Sequence, residues 1–371
     1  MDQLLIGITG LTWKHLVMFG VGIILIYLAI VKEYEPVLLL PIGFGALLTN
    51  IPFSSAVGPE GPLTILKHAG IITELFPCLI FVAVGAMCDF APMLKNPVLM
   101  LFGAAAQFGI FATIVVAALL GFDLKEAASI GIIGAADGPT TIYVATKFAP
   151  HLLGPLSVAA YSYMSLVPII QPPVIRALTT RKERSQFMPV KADVPVSKTV
   201  RIVFPILVTL VAGIIAPISV ALVGMLMLGN LLRECGVVER LSRSASEELA
   251  NVVTLLLGIT IGATMDAESF MNWKTIMVMG LGIVAFIFDT AGGVLFAKVL
   301  NLFLKEKINP MIGACGISAF PMSSRVVAKM ALAENKRNYI IMHAVGANVS
   351  GQLGSIIAGG LVLAVVAGIV M

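Results

Sequence analysis

The sequence predicts an all-α polytopic membrane protein made of two inverted repeats, each of about five transmembrane helices plus a re-entrant broken-helix hairpin. Three observations lead there. The 371 residues are 58% hydrophobic and 12% charged, with a mean hydropathy of +1.01, and apolar runs recur from Trp13 to the last residue. The two halves repeat one another in residues. GAMCD ending at Asp89 returns as GATMD ending at Asp266, and Gly134, Pro139 and Lys147 return as Gly316, Pro321 and Lys329 at one offset of 182. Basic residues, finally, are shared unequally between alternate loops.

About 20 residues cross a hydrocarbon core, and on that measure candidate spans fall at 14–31, 36–51, 71–88, 97–121 and 155–175. Between the last two lies 127–146, apolar but broken by Gly134, Gly138 and Pro139. Residues 14–175 thus form a first repeat with hairpin 127–150, and 176–199 form a basic linker. The series then recurs at 200–216, 217–232, 250–265, 275–299 and 340–370, giving a second repeat over 200–371. Its own broken stretch, 309–330, belongs to a hairpin spanning 309–332. The longest polar stretch, Arg176 to Arg201, has only 26 residues and leaves no room for a soluble domain. MDQLLIGITGLTW carries no basic region ahead of its first apolar run, so a cleavable signal peptide is not expected.

Charge decides that the repeats are inverted. Six full spans per half would make them parallel, whereas five spans and a re-entrant hairpin invert them. With re-entrant hairpins, 17 Lys and Arg fall on one side, including Lys32, Lys95, Arg233, Arg243 and the seven from Arg176 to Arg201. The other side holds five, namely Lys14, Lys67, Lys125, Lys147 and Lys274. The richer side is expected to be cytoplasmic. Both termini then face outward, the linker is cytoplasmic, and the hairpins enter from opposite faces. Two-fold designs of this kind, with a site where broken helices meet, belong to ion-coupled transport.

Asp137, in GAADGPT, most needs a function. An ionised carboxylate at bilayer depth costs roughly 3 kcal/mol or more unless it faces an ion, a cavity or a partner. The broken backbone around it is tolerated only beside protein or a water-filled cavity. A structural pair with Lys147 or Arg325 is the bland alternative. Asp289 also lies inside a span, where a bundle-interior pair and an ion role stand level. Asp89 and Asp266 close matching spans, as do Asn50 and Asn230, and capping is the simpler role for all four. His343 occupies the repeat position of Tyr161. The four cysteines form no CxxC, and the 18 methionines show no ligand spacing, so both sets read as packing. The chain has no GxxxxGK[ST] loop and no HExxH, which argues against ATP hydrolysis and zinc chemistry. The net charge of +4 follows from topology and makes no case for nucleic acid.

GAADGPTTIYVATKFAPHLLGPLSVAAYSYMSLVPIIQPP in the first half, with NPMIGACGISAFPMSSRVVAKMA and HAVGANVSGQLGS in the second, resembles the signature regions of the beta subunits of sodium-pumping biotin-dependent decarboxylases. The similarity extends over essentially the whole chain. It implies a subunit of the bacterial cytoplasmic membrane that decarboxylates carboxybiotin and exports sodium, consuming a proton. It also implies partners: a biotin carrier subunit that presents carboxybiotin, a soluble carboxyltransferase subunit and a small membrane-anchor subunit, in a hetero-oligomer with a homo-oligomeric core as one form. No biotin-attachment motif like AMKM is present, so covalent biotin is not expected on this chain.

The resemblance places the sodium and proton positions on Asp137, Tyr161, Tyr163, Asn309, Gly313, Ser318 and Asn348. Oxygen ligands suit sodium, a hard cation. Asp137, Asn309, Gly313, Ser318 and Asn348 make up the expected sodium set. Asp137 would be its one fixed charge and the point where sodium and protons compete. Tyr163 or Tyr161 would carry the proton, although an ordinary tyrosine titrates at about 10 and needs help to do so. From charge and topology, Arg325 and Lys329, with Ser318, are the expected grip on the carboxylate of carboxybiotin. The competing reading is a stand-alone sodium- or proton-coupled carboxylate symporter, which the same broken-helix plan would serve.

Overall fold

The computed structural model describes residues 7–189 and 195–370. Residues 190–194 of the predicted linker, Lys191 among them, lie outside that range. The first half contains α1 (Trp13–Val31), α2 (Pro36–Thr49), α3 (Pro62–Ile72), α4 (Leu75–Met87) and α5 (Val98–Leu119). A broken hairpin follows: α6 (Leu124–Gly131), a 3-10 turn over Ile132–Ala135, and α7 (Gly138–Phe148). The half closes with α8 (Leu153–Ser165) and α9 (Val167–Leu178). The second half runs α10 (Lys198–Ile215), α11 (Val220–Cys235), α12 (Glu239–Gly262) and α13 (Trp273–Phe303). Its hairpin is a 3-10 segment, Pro310–Gly316, followed by α14 (Met322–Glu334), and α15 (Ile341–Val370) ends the chain. Among the described residues, seven helices are long and apolar enough to cross a membrane, or up to nine if each of two bent pairs is one span. The chain is an all-α, multi-pass membrane protein, and the described residues contain no strand.

Three predicted spans differ in shape. The span predicted over 71–88 begins earlier, because α3 joins α4 through a 63° bend at Glu74, which takes a left-handed backbone with φ 64°. The span predicted over 155–175 is two helices meeting at 68°, with Pro168 in the first turn of α9, where a proline cannot continue the preceding ladder. The span at 97–121 is interrupted at Gln107, whose amide donates to Gly103 O at 2.8 Å and Gly316 O at 3.4 Å. Just past that interruption the Ile110 N–H is shared between Gln107 O and the Asp289 carboxylate, each at 3.1 Å. Asp289 therefore binds backbone, and no cation pairs with it among the described residues.

The core is built by crossing the halves. Helix α2 packs on α12, and α4 packs on α11. Both crossings are glycine-to-glycine. A Cβ on Gly45 would lie 2.3 Å from Ile259 O and one on Gly262 2.3 Å from Ile42 O, while Gly85 and Gly229 stand in the same relation to Leu226 O and Val82 O. Only glycine permits backbones that close, so van der Waals packing over small residues holds the helices where lipid supplies no hydrophobic drive. Each crossing is also braced by an amide. Asn50 donates to Met265 O at 2.8 Å, and Asn230 donates to Cys88 O at 3.0 Å. These two asparagines thus reach across the halves; Asn50 also caps the C-terminus of α2 as expected, whereas Asn230 lies inside α11, which ends at Cys235, and does not cap it. Asp89 and Asp266 do cap, accepting from the N–H two residues on, Ala91 at 2.9 Å and Glu268 at 3.2 Å.

Candidate functional site

The two hairpins touch at their breaks, and Asp137 sits at the contact. Asp123 and Glu126 form a capping box that starts α6. The helix tightens into a 3-10 turn and ends at Ala136, a non-glycine residue held left-handed at φ 52°. Asp137 is then the N-cap of α7, with Pro139 in the first turn, and its Oδ1 accepts from the Thr140 N–H at 3.1 Å. Across the gap the Ser318 N–H donates to Ala135 O at 2.8 Å, so one backbone hydrogen bond joins the broken segments.

Asp137 is 3% exposed, which makes its partners decisive. Oδ2 lies 2.5 Å from Ser355 Oγ and 3.2 Å from Ser318 Oγ. Ser318 Oγ is also 2.6 Å from Gln352 Oε1, and Ser355 Oγ is 3.0 Å from Gln352 O. Gln352 returns its own Nε2–H to Ser318 O at 2.8 Å. Two hydroxyl hydrogens therefore serve more acceptors than they can satisfy. Asn348 anchors the same strip, donating to Ile317 O at 2.7 Å while its Oδ1 has no partner. Lys147 pairs instead with Glu74 at 2.8 Å, and Arg325 is exposed, so neither structural pair considered for Asp137 forms. A buried, acceptor-rich cluster with one carboxylate and no counter-charge is the chemistry of a proton or a hard cation.

A cavity of about 240 Å³ is lined by Asp137, Ser318, Gln352 and Tyr161, and also by Glu35 at the N-terminus of α2 and Thr254 of α12. The N-terminus of α2, the C-terminal half of α4 and the N-terminal half of α12 lie towards the face where charge predicts the cytoplasm. Glu35 is half-buried with a left-handed backbone at φ 39°, and burial raises its carboxyl above the ordinary range. The Tyr161 hydroxyl has no hydrogen-bond partner, and its ring rests against Gly138, where a Cβ would meet Cε1 at 2.2 Å.

The structure thus brings Asp137, Tyr161, Ser318 and Asn348 together and leaves the other predicted residues elsewhere. Tyr163 donates to Met279 O, tying α8 to α13. Asn309 N-caps the 3-10 segment through the Met311 N–H at 3.1 Å and donates to Arg184 O and Gln186 O at 2.8 and 3.1 Å. Gly313 meets Gly293, close enough that a Cβ on either would collide with the other's carbonyl. Arg325 and Lys329, four residues apart, share one exposed face of α14 and line no part of the cavity. Sequence reasoning missed Gln352 and Ser355, although Asn348, Gln352 and Ser355 carry a signal. Spaced by four and three along a stretch whose one other polar residue is Ser350, they share one helix face. Glu35 offered none, being one acid among the loop residues of KEYEP.

With this geometry in view, a model of the family described as the Na+-transporting oxaloacetate decarboxylase beta subunit matches residues 14–366. Methylmalonyl-CoA decarboxylase subunit beta of Veillonella parvula is 51% identical over 358 residues, covering 96% of this chain and 95% of the relative. Glutaconyl-CoA decarboxylase subunit beta of Acidaminococcus fermentans is 49% identical, covering 98% and 96%. Oxaloacetate decarboxylase beta chain of Klebsiella pneumoniae is 42% identical, covering 98% and 99%.

Proposed function

The chain belongs to the family of beta subunits of sodium-transporting decarboxylases, and from that premise we propose that it decarboxylates carboxybiotin and uses the reaction to export sodium, taking up a proton. The observation that carries the reading is Asp137: one buried carboxylate without a cationic partner, at the contact of two broken hairpins and on the wall of a cavity. Sodium enters as substrate. Asp137 supplies the charge, Ser318, Ser355 and Gln352 supply neutral oxygens, and the surplus of acceptors favours a cation over an empty site.

In carboxybiotin decarboxylation the bond between the ureido nitrogen and the carboxylate carbon breaks, carbon dioxide leaves, and the nitrogen takes a proton. Asp137 holds one positive charge at a time, so a proton and a sodium ion exclude one another there. That exclusion is the simplest link between consuming a proton and moving sodium. Of the two tyrosines, Tyr161 is the better placed for proton traffic, since its hydroxyl is unpartnered on the cavity wall and that of Tyr163 is engaged at Met279 O. Arg325 and Lys329, exposed together on α14, suit the approach of an anionic substrate from outside the cavity. Two inverted repeats opening the site to alternate faces complete the proposal, with a biotin carrier, a carboxyltransferase and a small membrane-anchor subunit as partners in a bacterial inner membrane.

The test is decarboxylation of free carboxybiotin by the native complex, with and without sodium, in wild type and Asp137→Asn. Sodium-stimulated turnover that the substitution removes supports the assignment. An intact complex with no decarboxylase activity would overturn it and favour the carboxylate symporter.

A further inference from the structure

A second cavity, of about 620 Å³, shares no lining residue with that of Asp137 and lies where the C-terminal end of α13 meets the linker helix Arg181–Arg184. Lys182, Lys298 and Lys307 line it together with Glu183, Val299 and Leu302. Lys298 is committed. Its ammonium lies 3.1 Å from Glu183 Oε1 and 3.1 Å from Leu178 O, so the one carboxylate in the pocket is already neutralised. Lys182 and Lys307 have no carboxylate partner among the described residues. The pocket is therefore cationic by two charges.

Its other wall is apolar. Val299 and Leu302, three residues apart on α13, are 52% and 80% exposed and continue the lipid-facing surface of a membrane-spanning helix into the pocket. A free inorganic anion would make no use of that wall, and an acidic protein surface would leave Leu302 against polar groups. An amphiphilic anion satisfies both walls at once, its head between the lysines and its chain along α13.

We propose that this pocket binds an anionic phospholipid, with the phosphodiester at Lys182 and Lys307 and an acyl chain along Val299 and Leu302. The linker that forms the rim also receives the Asn309 amide at Arg184 O and Gln186 O. A bound lipid would consequently steady the base of the second hairpin. This proposal is independent of the sodium reading.

The experiment titrates the native complex in detergent with a phosphatidylglycerol that carries a photoactivatable group in its acyl chain, and maps the labelled peptide. The expected result is saturable labelling between Lys298 and Lys307, displaced by unlabelled phosphatidylglycerol but not by phosphatidylcholine or millimolar inorganic phosphate. In the Lys182→Gln/Lys307→Gln variant the half-saturating concentration should rise about tenfold to thirtyfold, the effect of losing two lysine contacts with an anionic lipid. Leu302→Asn, at an exposed position, should weaken labelling without disturbing the fold. Equal displacement by phosphatidylcholine, full displacement by phosphate, an unchanged titration in the lysine variant, or no labelling because another subunit fills the pocket would each overturn the proposal.

Discussion

The two hairpins occupy corresponding positions in the two halves, yet they divide the work unequally. The first carries the charge: GAADGPT places Asp137 at the N-cap of α7, and ion pairs hold the outer ends, Glu126 with Lys274 and Lys147 with Glu74, each at 2.8 Å. The second is neutral at the corresponding break. At the offset of 182, Ala136 corresponds to Ser318 and Asp137 to Ala319. Its backbone is held by amides, with Gln171 donating to Ala314 O at 2.8 Å, Asn348 to Ile317 O, and Gln352 to Ser318 O. The difference teaches where a membrane protein can place a carboxylate: on one hairpin, against a frame of neutral oxygens supplied by the other. A second carboxylate at Ala319 would set two like charges close together in a low-dielectric site, where only one could ionise.

If that division is right, the hairpins break differently. Asp137→Asn should lower sodium-stimulated decarboxylation about a hundredfold or more, within the range for loss of a positioned acid or base, while thermal unfolding of the complex stays level or rises, because a desolvated charge has been removed. Gln171→Leu attacks the other hairpin. It removes the Ala314 contact and the 3.0 Å bond between Ser323 Oγ and Gln171, at a cost of about 2 kcal/mol. Hydrogen exchange over 310–323 should accelerate while half-saturation by sodium holds. A loss of sodium affinity as large as that of an Asp137 neighbour would show that the second hairpin is more than a frame.

Ser355→Ala sharpens the comparison from a third element. Its hydroxyl, 2.5 Å from Asp137, comes from α15 and belongs to neither hairpin. Losing one hydrogen bond to a charged group, about 1.4 kcal/mol, should raise the half-saturating sodium concentration about tenfold. An unchanged value would remove α15 from the ion site.

Much of this was legible in the sequence because membranes constrain so strongly. Apolar length gave the spans, and Gly134, Gly138 and Pro139 gave the first break. A carboxylate with no neighbouring cation in that break had few roles open to it. The bends at Glu74, Gln107 and Leu166 were hidden because the chain stays largely apolar through each of them. At Gln107 the break is also held from a distance, where the Asp289 carboxylate accepts from the Ile110 N–H, 179 residues away. Asn309 and Gly313 stand apart from Asp137 because Asn309 caps the start of the 3-10 segment and Gly313 lies within it, packed against Gly293. The strip formed by Asn348, Gln352 and Ser355 was readable from spacing alone, but only its first member was singled out.

The smallest effect concerns how the neutral hairpin is tied to the rest of the chain. Glu334, at the end of α14, accepts from Arg184 at 2.7 Å and lies 3.5 Å from Arg181. The Arg184 guanidinium holds its carboxyl below the ordinary glutamate range. A carboxyl whose folded value is depressed contributes above its unfolded value, and the contribution is lost as pH falls through the folded one. The tie between linker and hairpin should therefore be constant near neutrality and loosen only in acid, below the ordinary glutamate value of 4.5. Glu334→Gln removes the ion pair at every pH. Hydrogen exchange over 181–186 should then rise by less than about fivefold, as for an ion pair near a surface, and should lose its acid dependence. A much larger rise would mean that this pair, and not the amides of Asn309 and Asn338 that reach the same linker carbonyls, anchors the second hairpin.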